Sequence, residues 1–183
     1  MNTNRLSKPI TTALNAQMTR EAYASQLYLS YAAWAHHQGY AGIAQFLFHH
    51  AEEEQGHKMK IIEYILKRGA KVHISAIPAP HDNPESVNHC FEKILEHKVD
   101  ITKEIYKLVK MSMEEEDWTT WNFMQWFVKE QVEEETLAMN LLDKMKIAGG
   151  EKVNNNALYT LDKDLEKSAG DMHESNDASE SIA

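Results

Sequence analysis

The stretch HAEEEQGHKMK, residues 50–60, places three consecutive glutamates and, three residues after the last of them, a histidine. It contains no proline and no β-branched residue, so its local propensity favours a helix. Glu54 and His57 nevertheless fall on the side of that helix where a bundle carries apolar residues. Their position indicates a buried polar site.

The rest of the chain shows the pattern of long helices joined by three connections of unequal length. Ser7 and Pro9 are typical of a helix start, and Gly39 and Gly69 are typical of helix ends. The segment between the second and third helices, residues 70–84, holds three of the four prolines and cannot be helical throughout. The order predicts an all-α, four-helix bundle with one long crossover connection. The predicted helices are residues 7–37, 41–68, 85–113 and 118–148.

The C-terminal part follows a different pattern. Residues 154–167 predict a short fifth helix, whereas the sequence from Ser168 onward is polar and acidic with few apolar residues. We therefore expect a bundle domain at residues 1–167 and an acidic disordered tail at residues 168–183.

Composition excludes several classes of protein. A chain of 183 residues with 43% hydrophobic residues suits a single domain. It has no apolar run long enough to span a membrane and no signal-like N-terminus, and its single cysteine, Cys90, fits a reducing compartment, so we expect a cytoplasmic protein. A formal net charge of -9 disfavours binding to nucleic acid or to an anionic membrane.

Each helix carries a core-facing stripe with residues spaced alternately four and three apart, and each stripe is interrupted near its middle. Glu21 lies 18 residues before Gly39, while Glu54 and His57 lie 15 and 18 residues after it, so the three share one depth in an antiparallel hairpin. The second hairpin, turning near Glu116, repeats these spacings with Lys98, Gln131 and Glu134. Six polar groups are thereby predicted to meet in one layer of the core.

Such a layer needs positive charge. Three buried carboxylates are costly unless they are paired, hydrogen-bonded or bound to cations, and Lys98 is the only fixed cation among the six. Oxygen ligands with one imidazole suit iron or manganese, and zinc less well. Glu54 and His57, at i and i+3, can reach the same ion. The alternative for each glutamate taken singly is exposure on a helix rotated from this assignment.

Further polar and aromatic residues adjoin the stripes. Glu53, Glu130 and Glu133 lie beside them, either as a solvated helix flank or, if they face inward, as ligands of a weaker cation. Tyr28, one heptad from Glu21, and Trp126 suit ordinary core packing. Tyr28 is also placed to hydrogen-bond a metal ligand or to give up an electron.

Three segments of the sequence resemble a known family. The segments LNAQMTREAYASQLYLSYAAW (14–34), FLFHHAEEEQGHKMKIIEYILKRG (46–69) and FMQWFVKEQVEEE (123–135) resemble bacterial non-haem ferritins, which belong to the ferritin-like di-iron proteins. The resemblance extends from residue 5 to about residue 167. It implies a ferroxidase that assembles with itself into a 24-subunit shell, oxidises Fe²⁺ with O₂ or peroxide at a di-iron centre, and stores Fe³⁺ as a mineral.

The resemblance also implies roles for individual residues. Glu21, Glu54 and His57 would hold the first iron, with Glu54 bridging to a second iron. Tyr28 matches the tyrosine beside the centre. The remaining matched positions are Gln131 and Glu134 at the second iron, and Glu53, Glu130 and Glu133 at a third site.

One position departs from the family pattern. Where the family's third helix has a glutamate that binds the second iron, this chain has Lys98. An ammonium has no lone pair for a metal and adds positive charge, so we expect an ion pair with Glu54 or Glu134 and weakened paired oxidation. The alternative is a local shift of the helix that presents Glu96 or Asp100 instead.

Related functions remain as alternatives. A bacterioferritin would carry a second Glu-x-x-His motif on the fourth helix, and this chain has none, so no haem is expected. An oxidase or peroxidase of the rubrerythrin kind shares the bundle chemistry, but its usual Cys-x-x-Cys module needs more than one cysteine. A non-catalytic storage or shell-forming subunit is the remaining alternative. The oxidant, the route of iron release and co-assembly with other subunits are left open by the sequence.

Overall fold

The computed structural model describes residues 3–80, 83–152 and 154–180, with side chains described in these ranges except at residues 151 and 168–180. Its helices are α1 (Lys8–His37), α2 (Ala41–Lys67), α3 (Val87–Glu114), α4 (Trp118–Ile147) and α5 (Asn155–Glu180), with a short 3₁₀ turn at Gly150–Lys152. The described ranges contain no strand. The predicted all-α order of helices is confirmed.

Side-chain caps fix where three of the four bundle helices begin. Ser7 Oγ accepts a hydrogen bond from the Ile10 amide at 3.2 Å, as its position before Pro9 predicts. Equivalent caps start α3 and α4, where Ser86 Oγ and Asp117 Oδ1 accept from the amides of His89 and Thr120. Because each cap satisfies an amide that has no partner within its own helix, it sets the helix start and hence the register of the residues that follow.

The bundle consists of two antiparallel helical hairpins. Gly39, with a φ of 90°, turns α1 into α2, and the start of α3 lies near that turn, against Trp34 and Tyr40. At the opposite end, the Tyr64 hydroxyl on α2 lies 2.8 Å from the Thr120 hydroxyl on α4. The crossover connection therefore runs the length of the bundle, as predicted, although residues 81 and 82 within it lie outside the described ranges.

Helix α5 docks on the start of α2. Asp162 Oδ1 accepts a hydrogen bond from the Ile43 amide at 2.9 Å, and Tyr40 supplies no side-chain cap there. A Cβ added at Gly42 would lie 1.8 Å from the Asp162 carbonyl oxygen, so only glycine permits this approach of the two backbones. Leu161 and Leu165 complete the contact by packing into the hydrophobic core.

The fifth helix that the sequence predicts is present as α5, whose backbone is helical from Asn155 to Glu180. The disordered tail expected from Ser168 onward stays a prediction. The segment is poor in apolar residues, which favours disorder, but it has no proline to end a helix. The last three predicted tail residues, 181–183, lie outside the described part of the chain.

None of the described helices is long and apolar enough to cross a membrane.

Candidate metal centre

The six polar residues predicted to share one depth are all buried. Their exposed fractions do not exceed 6%, so within this layer the alternative of glutamates turned to solvent on rotated helices is wrong. Each hairpin contributes its residues from the middle of its two helices, as the spacing from the turns predicts. The residues are Glu21, Glu54, His57, Lys98, Gln131 and Glu134.

Lys98 lies between two carboxylates from different helices. Its Nζ is 2.6 Å from Glu54 Oε1 on α2 and also forms an ion pair with Glu134 Oε2 on α4. The predicted ion pair is therefore present with both partners. Lys98 itself is only 2% exposed, whereas Glu96 and Asp100 are exposed, so a shift of α3 that would present either acid is ruled out.

On the other side of Glu54 lies a group that fits a cation. His57 Nδ1 is 3.1 Å from Glu54 Oε2, and one ligand atom each from Glu21, Glu54 and His57 lies within 4.8 Å of the others. Gln17 Nε2 donates to Glu21 Oε1 at 2.7 Å. The second oxygen, Glu21 Oε2, is buried and makes no hydrogen bond within the described residues. A divalent cation bound here would give this buried oxygen the partner that it lacks.

Burial and neighbouring charges have opposite net effects on the pKa values of the two carboxyl groups of this site, Glu21 and Glu54. Burial, followed by the nearby Glu54 carboxylate, raises the pKa of Glu21 well above its ordinary value. Burial also acts to raise the pKa of Glu54, but the charge of Lys98 and the contact with His57 outweigh it and hold that pKa far below the usual range. Glu21 therefore holds a proton more readily than Glu54 does.

For the two basic groups, burial acts to lower the pKa and the neighbouring carboxylates act to raise it. Burial acts to lower the pKa of Lys98, but Glu54, Tyr28 and Glu134 together raise it well above its ordinary value. Burial likewise acts to lower the pKa of His57, and the contact with Glu54 raises it overall. Glu54 and Glu134 are thus both balanced by the Lys98 ammonium of the chain itself.

Gln131 belongs to a hydrogen-bonded group that the sequence did not reveal. Thr102 Oγ1 lies 3.1 Å from Gln131 Oε1 and also contacts Glu135 Oε1. Thr102 is 7% exposed and follows Lys98 by one helical turn. That i+4 spacing from a stripe residue is the signal that could have predicted it.

The three residues beside the stripe do not form one compact group in the described structure. Glu53 contacts His50, and Glu130 Oε1 lies 3.8 Å from His57 Nε2. Glu133 is 3.5 Å from Lys129 and mostly exposed. Burial raises the pKa of Glu130; the contact with His57 opposes this, while Glu134, Glu133 and Glu53 add to the increase. Their role as a third site stays a prediction.

Tyr28 is 1% exposed and lies beside the ion pair. The Lys98 Nζ is 5.1 Å from the centre of its ring, which allows a cation–π contact. Burial raises the pKa of Tyr28, so it stays a neutral phenol. Trp126 instead packs edge-on against His57, with ring centres 5.4 Å apart. Its face carries the ammonium of Lys60 at 4.2 Å.

Taken together, a four-helix bundle with a central carboxylate and imidazole layer defines a ferritin-like protein. Residues 11–148 match the family model of the ferritin-like domain. The bacterial non-heme ferritin of Campylobacter jejuni is 40% identical over 157 residues, which span 86% of this chain and 92% of that protein. This chain belongs to the bacterial non-haem ferritin family, as the sequence resemblance predicts.

Two further comparisons agree. A probable bacterial non-heme ferritin-like protein of Haemophilus influenzae is 41% identical over 160 residues, covering 87% of this chain and 95% of that protein. An open-pore ferritin from Archaeoglobus fulgidus superposes with a TM-score of 0.84 at 38% identity, covering 88% of this chain and 96% of that chain. The four-helix bundle is therefore confirmed.

Proposed function

We propose that this protein stores iron, binding Fe²⁺ at Glu21, Glu54 and His57, oxidising it with O₂ or peroxide, and holding Fe³⁺ as a mineral inside a 24-subunit shell. We further propose that its paired oxidation is weak, because the position of a second iron is taken by Lys98. The observation that carries this proposal is the Lys98 Nζ between Glu54 and Glu134, at 2.6 Å from Glu54 Oε1.

The chemistry of the ammonium supports this view. The Lys98 ammonium forms ion pairs with the two carboxylates that would otherwise bind the second iron. An ammonium has no lone pair to offer a metal, and it repels a cation placed beside it. Glu134 is consequently left with a fixed cation as its neighbour rather than with a vacant coordination position.

Without a second bound iron, the site can deliver only one of the two electrons that O₂ needs at a time. Reducing O₂ to peroxide takes two electrons and two protons, and each Fe²⁺ supplies one electron. Two ions held together deliver both electrons at one place, whereas a single-iron site delivers one and must wait for another ion. The expected consequence is slow initial oxidation rather than loss of iron binding. Because burial raises the pKa of Glu21, a proton held there would be released when the carboxylate binds the cation.

Replacing the lysine tests the proposal. In Lys98→Glu, with the family's ligand restored, we expect faster initial O₂ consumption on addition of Fe²⁺ under air than in the native protein. The matched control is Lys103→Glu, because Lys103 lies on the same helix in an exposed ion pair with Asp100. Equal initial rates for all three proteins would overturn the second-site argument.

Anaerobic titration with Fe²⁺ supplies an independent measurement. We expect one tight ion per subunit, lost in His57→Gln. Two tight ions that both disappear in His57→Gln would indicate an intact coupled pair and would contradict the role assigned to Lys98.

A passive storage or shell-forming subunit is the second candidate, and the same ion pair favours it. If Lys98 silences oxidation completely, native protein consumes no O₂ above the rate of free Fe²⁺ while still binding one ion. A di-iron oxidase or peroxidase of this fold is the third candidate and predicts turnover without mineral accumulation. Measuring O₂ consumption and retained iron in one sample separates the three.

The remaining parts of the proposal concern assembly and environment. Relatives and structural neighbours named as ferritins support a self-assembled shell, and light scattering of the purified protein tests its size. We propose a cytoplasmic location, which suits one unpaired, buried cysteine, Cys90. We expect no haem, and the absence of a Soret band checks this. We also propose that residues 1–167 are the functional unit.

A further inference from the structure

Gln17 is a buried polar residue of α1 to which the proposed function gives no role. It lies on the core-facing side of the helix, one turn before Glu21, and is 0% exposed. Its Nε2 donates a hydrogen bond to Glu21 Oε1 at 2.7 Å. Side chains four residues apart lie on one face of a helix, so the two residues stay in contact as long as α1 keeps its register.

Donor chemistry fixes the orientation of the Gln17 amide. A carboxylate oxygen only accepts hydrogen bonds, so the NH₂ group rather than the carbonyl must face Glu21. Gln17 Oε1 is thereby turned elsewhere in the core, where it makes no hydrogen bond with the described residues. A buried amide with one unsatisfied end is costlier than an apolar side chain of the same size. What the amide contributes is therefore its contact with Glu21.

This contact makes the two oxygens of Glu21 unequal. Oε1 accepts the hydrogen bond from Gln17, whereas Oε2 is buried and has no hydrogen bond within the described residues. A ligand atom of Glu21 lies within 4.8 Å of ligand atoms of Glu54 and His57. Because the hydrogen-bond partners of a ligating carboxylate fix its orientation, Gln17 presents Glu21 to an ion through a single oxygen.

Glu54 is restricted in the same way from another helix. The Lys98 ammonium is 2.6 Å from Glu54 Oε1, and Glu54 Oε2 faces His57 Nδ1 at 3.1 Å. The site therefore offers an ion one oxygen from each carboxylate and one imidazole. Ca²⁺ takes about six to eight oxygen ligands and often both oxygens of a carboxylate, whereas imidazole suits transition metals. The hydrogen bonds from Gln17 and Lys98 thus remove oxygens that Ca²⁺ would need.

We propose that Gln17 is a positioning residue for the first ion and a determinant of metal selectivity. It does not touch the ion. By holding Glu21 Oε1, it keeps Glu21 a one-oxygen ligand and favours Fe²⁺ or Co²⁺ over Ca²⁺. The inference deepens the proposed function, because it rests on the ion site assigned there to Glu21, Glu54 and His57.

Competition between Co²⁺ and Ca²⁺ tests this role in Gln17→Met, which keeps the length of the side chain and removes the donor. Anaerobic titration should show Co²⁺ binding about tenfold more weakly than in native protein, as is typical when a hydrogen-bond partner of a metal ligand is removed. Ca²⁺ should bind no more weakly, because both oxygens of Glu21 become free. At one saturating Co²⁺ concentration, the Ca²⁺ concentration that displaces half of the Co²⁺ should therefore fall about tenfold. The matched control is Gln26→Met, because Gln26 is exposed on the same helix, and it should change neither value.

The visible spectrum of bound Co²⁺ supplies a second readout, because its intensity falls as the coordination number rises. Gln17→Met should give a weaker spectrum per bound ion than native protein. Gln17→Asn should repeat both effects, since its amide is one methylene too short to reach Glu21, and it provides the test if Gln17→Met does not fold.

An unchanged half-displacing Ca²⁺ concentration in Gln17→Met and Gln17→Asn would overturn the positioning role. This holds whether Co²⁺ binding is unaffected or the binding of both ions is weakened equally, as a purely structural role of Gln17 predicts. Co²⁺ binding by native protein that is insensitive to His57→Gln would instead contradict the ion site on which the proposed function rests. Failure of the positioning role and failure of the proposed function are therefore distinguishable.

Discussion

Removing the Lys98 ammonium should destabilise the protein strongly, and by less in mild acid than at neutral pH. In Lys98→Met the side-chain length is kept, but Glu54 and Glu134, at most 6% exposed, lose the cation that contacts both. Breaking a buried ion pair by deleting one partner costs about 3 to 5 kcal/mol. Because whole domains are stable by only about 5 to 15 kcal/mol, the loss is large.

The pH dependence follows from the sign of each pKa shift. In the native protein the pKa of Glu54 is lowered, so its contribution to stability is present above the unfolded pKa and is lost as pH falls through the folded pKa. Without Lys98, the largest charge that opposes the effect of burial on Glu54 is gone, so the pKa of Glu54 rises. The folded variant then takes up a proton at Glu54 more readily than the native protein does, so its loss of stability relative to the native protein should be smaller at pH 5 than at pH 7.

The assay is equilibrium unfolding in guanidinium chloride with EDTA, at pH 7 and pH 5 and at one protein concentration, because assembly links stability to concentration. The matched control is Lys103→Met, which removes an exposed ammonium from the same helix and should change little at either pH. The reasoning is refuted if Lys98→Met is no less stable than Lys103→Met at pH 7, or if its loss is equally large at pH 5.

The other predictions concern packing, reactivity and the backbone. Gly42→Ala should destabilise by about 1 to 3 kcal/mol and expose α5 to limited proteolysis, because its Cβ would meet the Asp162 carbonyl at 1.8 Å. Burial raises the pKa of Cys90 to about 12, so iodoacetamide at pH 8 should alkylate it only after unfolding; rapid reaction of folded protein would contradict this. Glu116→Gly should stabilise by about 1 kcal/mol in thermal unfolding, since Glu116 has a φ of 54°. Deleting residues 168–183 should leave shell size and iron retention unchanged by light scattering and iron assay.

The depth of the central layer could be predicted because it depends only on helix geometry. A constant rise per residue converts spacing from Gly39 and Glu116 into position along the bundle, and the periodicity decides which side faces inward. Glu21, Glu54 and Lys98 are buried where that arithmetic places them. The same reasoning predicted the ion pair, since a buried ammonium in a layer of carboxylates has no cheaper partner.

Contacts that depend on side-chain conformation or on distant parts of the chain could not be predicted in this way. Glu53 lies at the border of the stripe, where periodicity does not decide between the neighbouring histidines and Glu130. The contact of Asp162 with the Ile43 amide joins residues 119 positions apart, through a close approach permitted by Gly42. No local pattern marks such a pair, because its cause lies in the packing of α5 on α2.

Lys98 also determines when the central layer of the bundle receives its positive charge. In a metal-linked centre, the cation that joins the helices comes from the surroundings, so the finished core depends on how much metal is present during folding. Here Glu54 and Glu134 receive that cation from α3, as part of the translated chain. These ion pairs can therefore join the two hairpins when iron is scarce, so that the subunit can fold before any iron is bound.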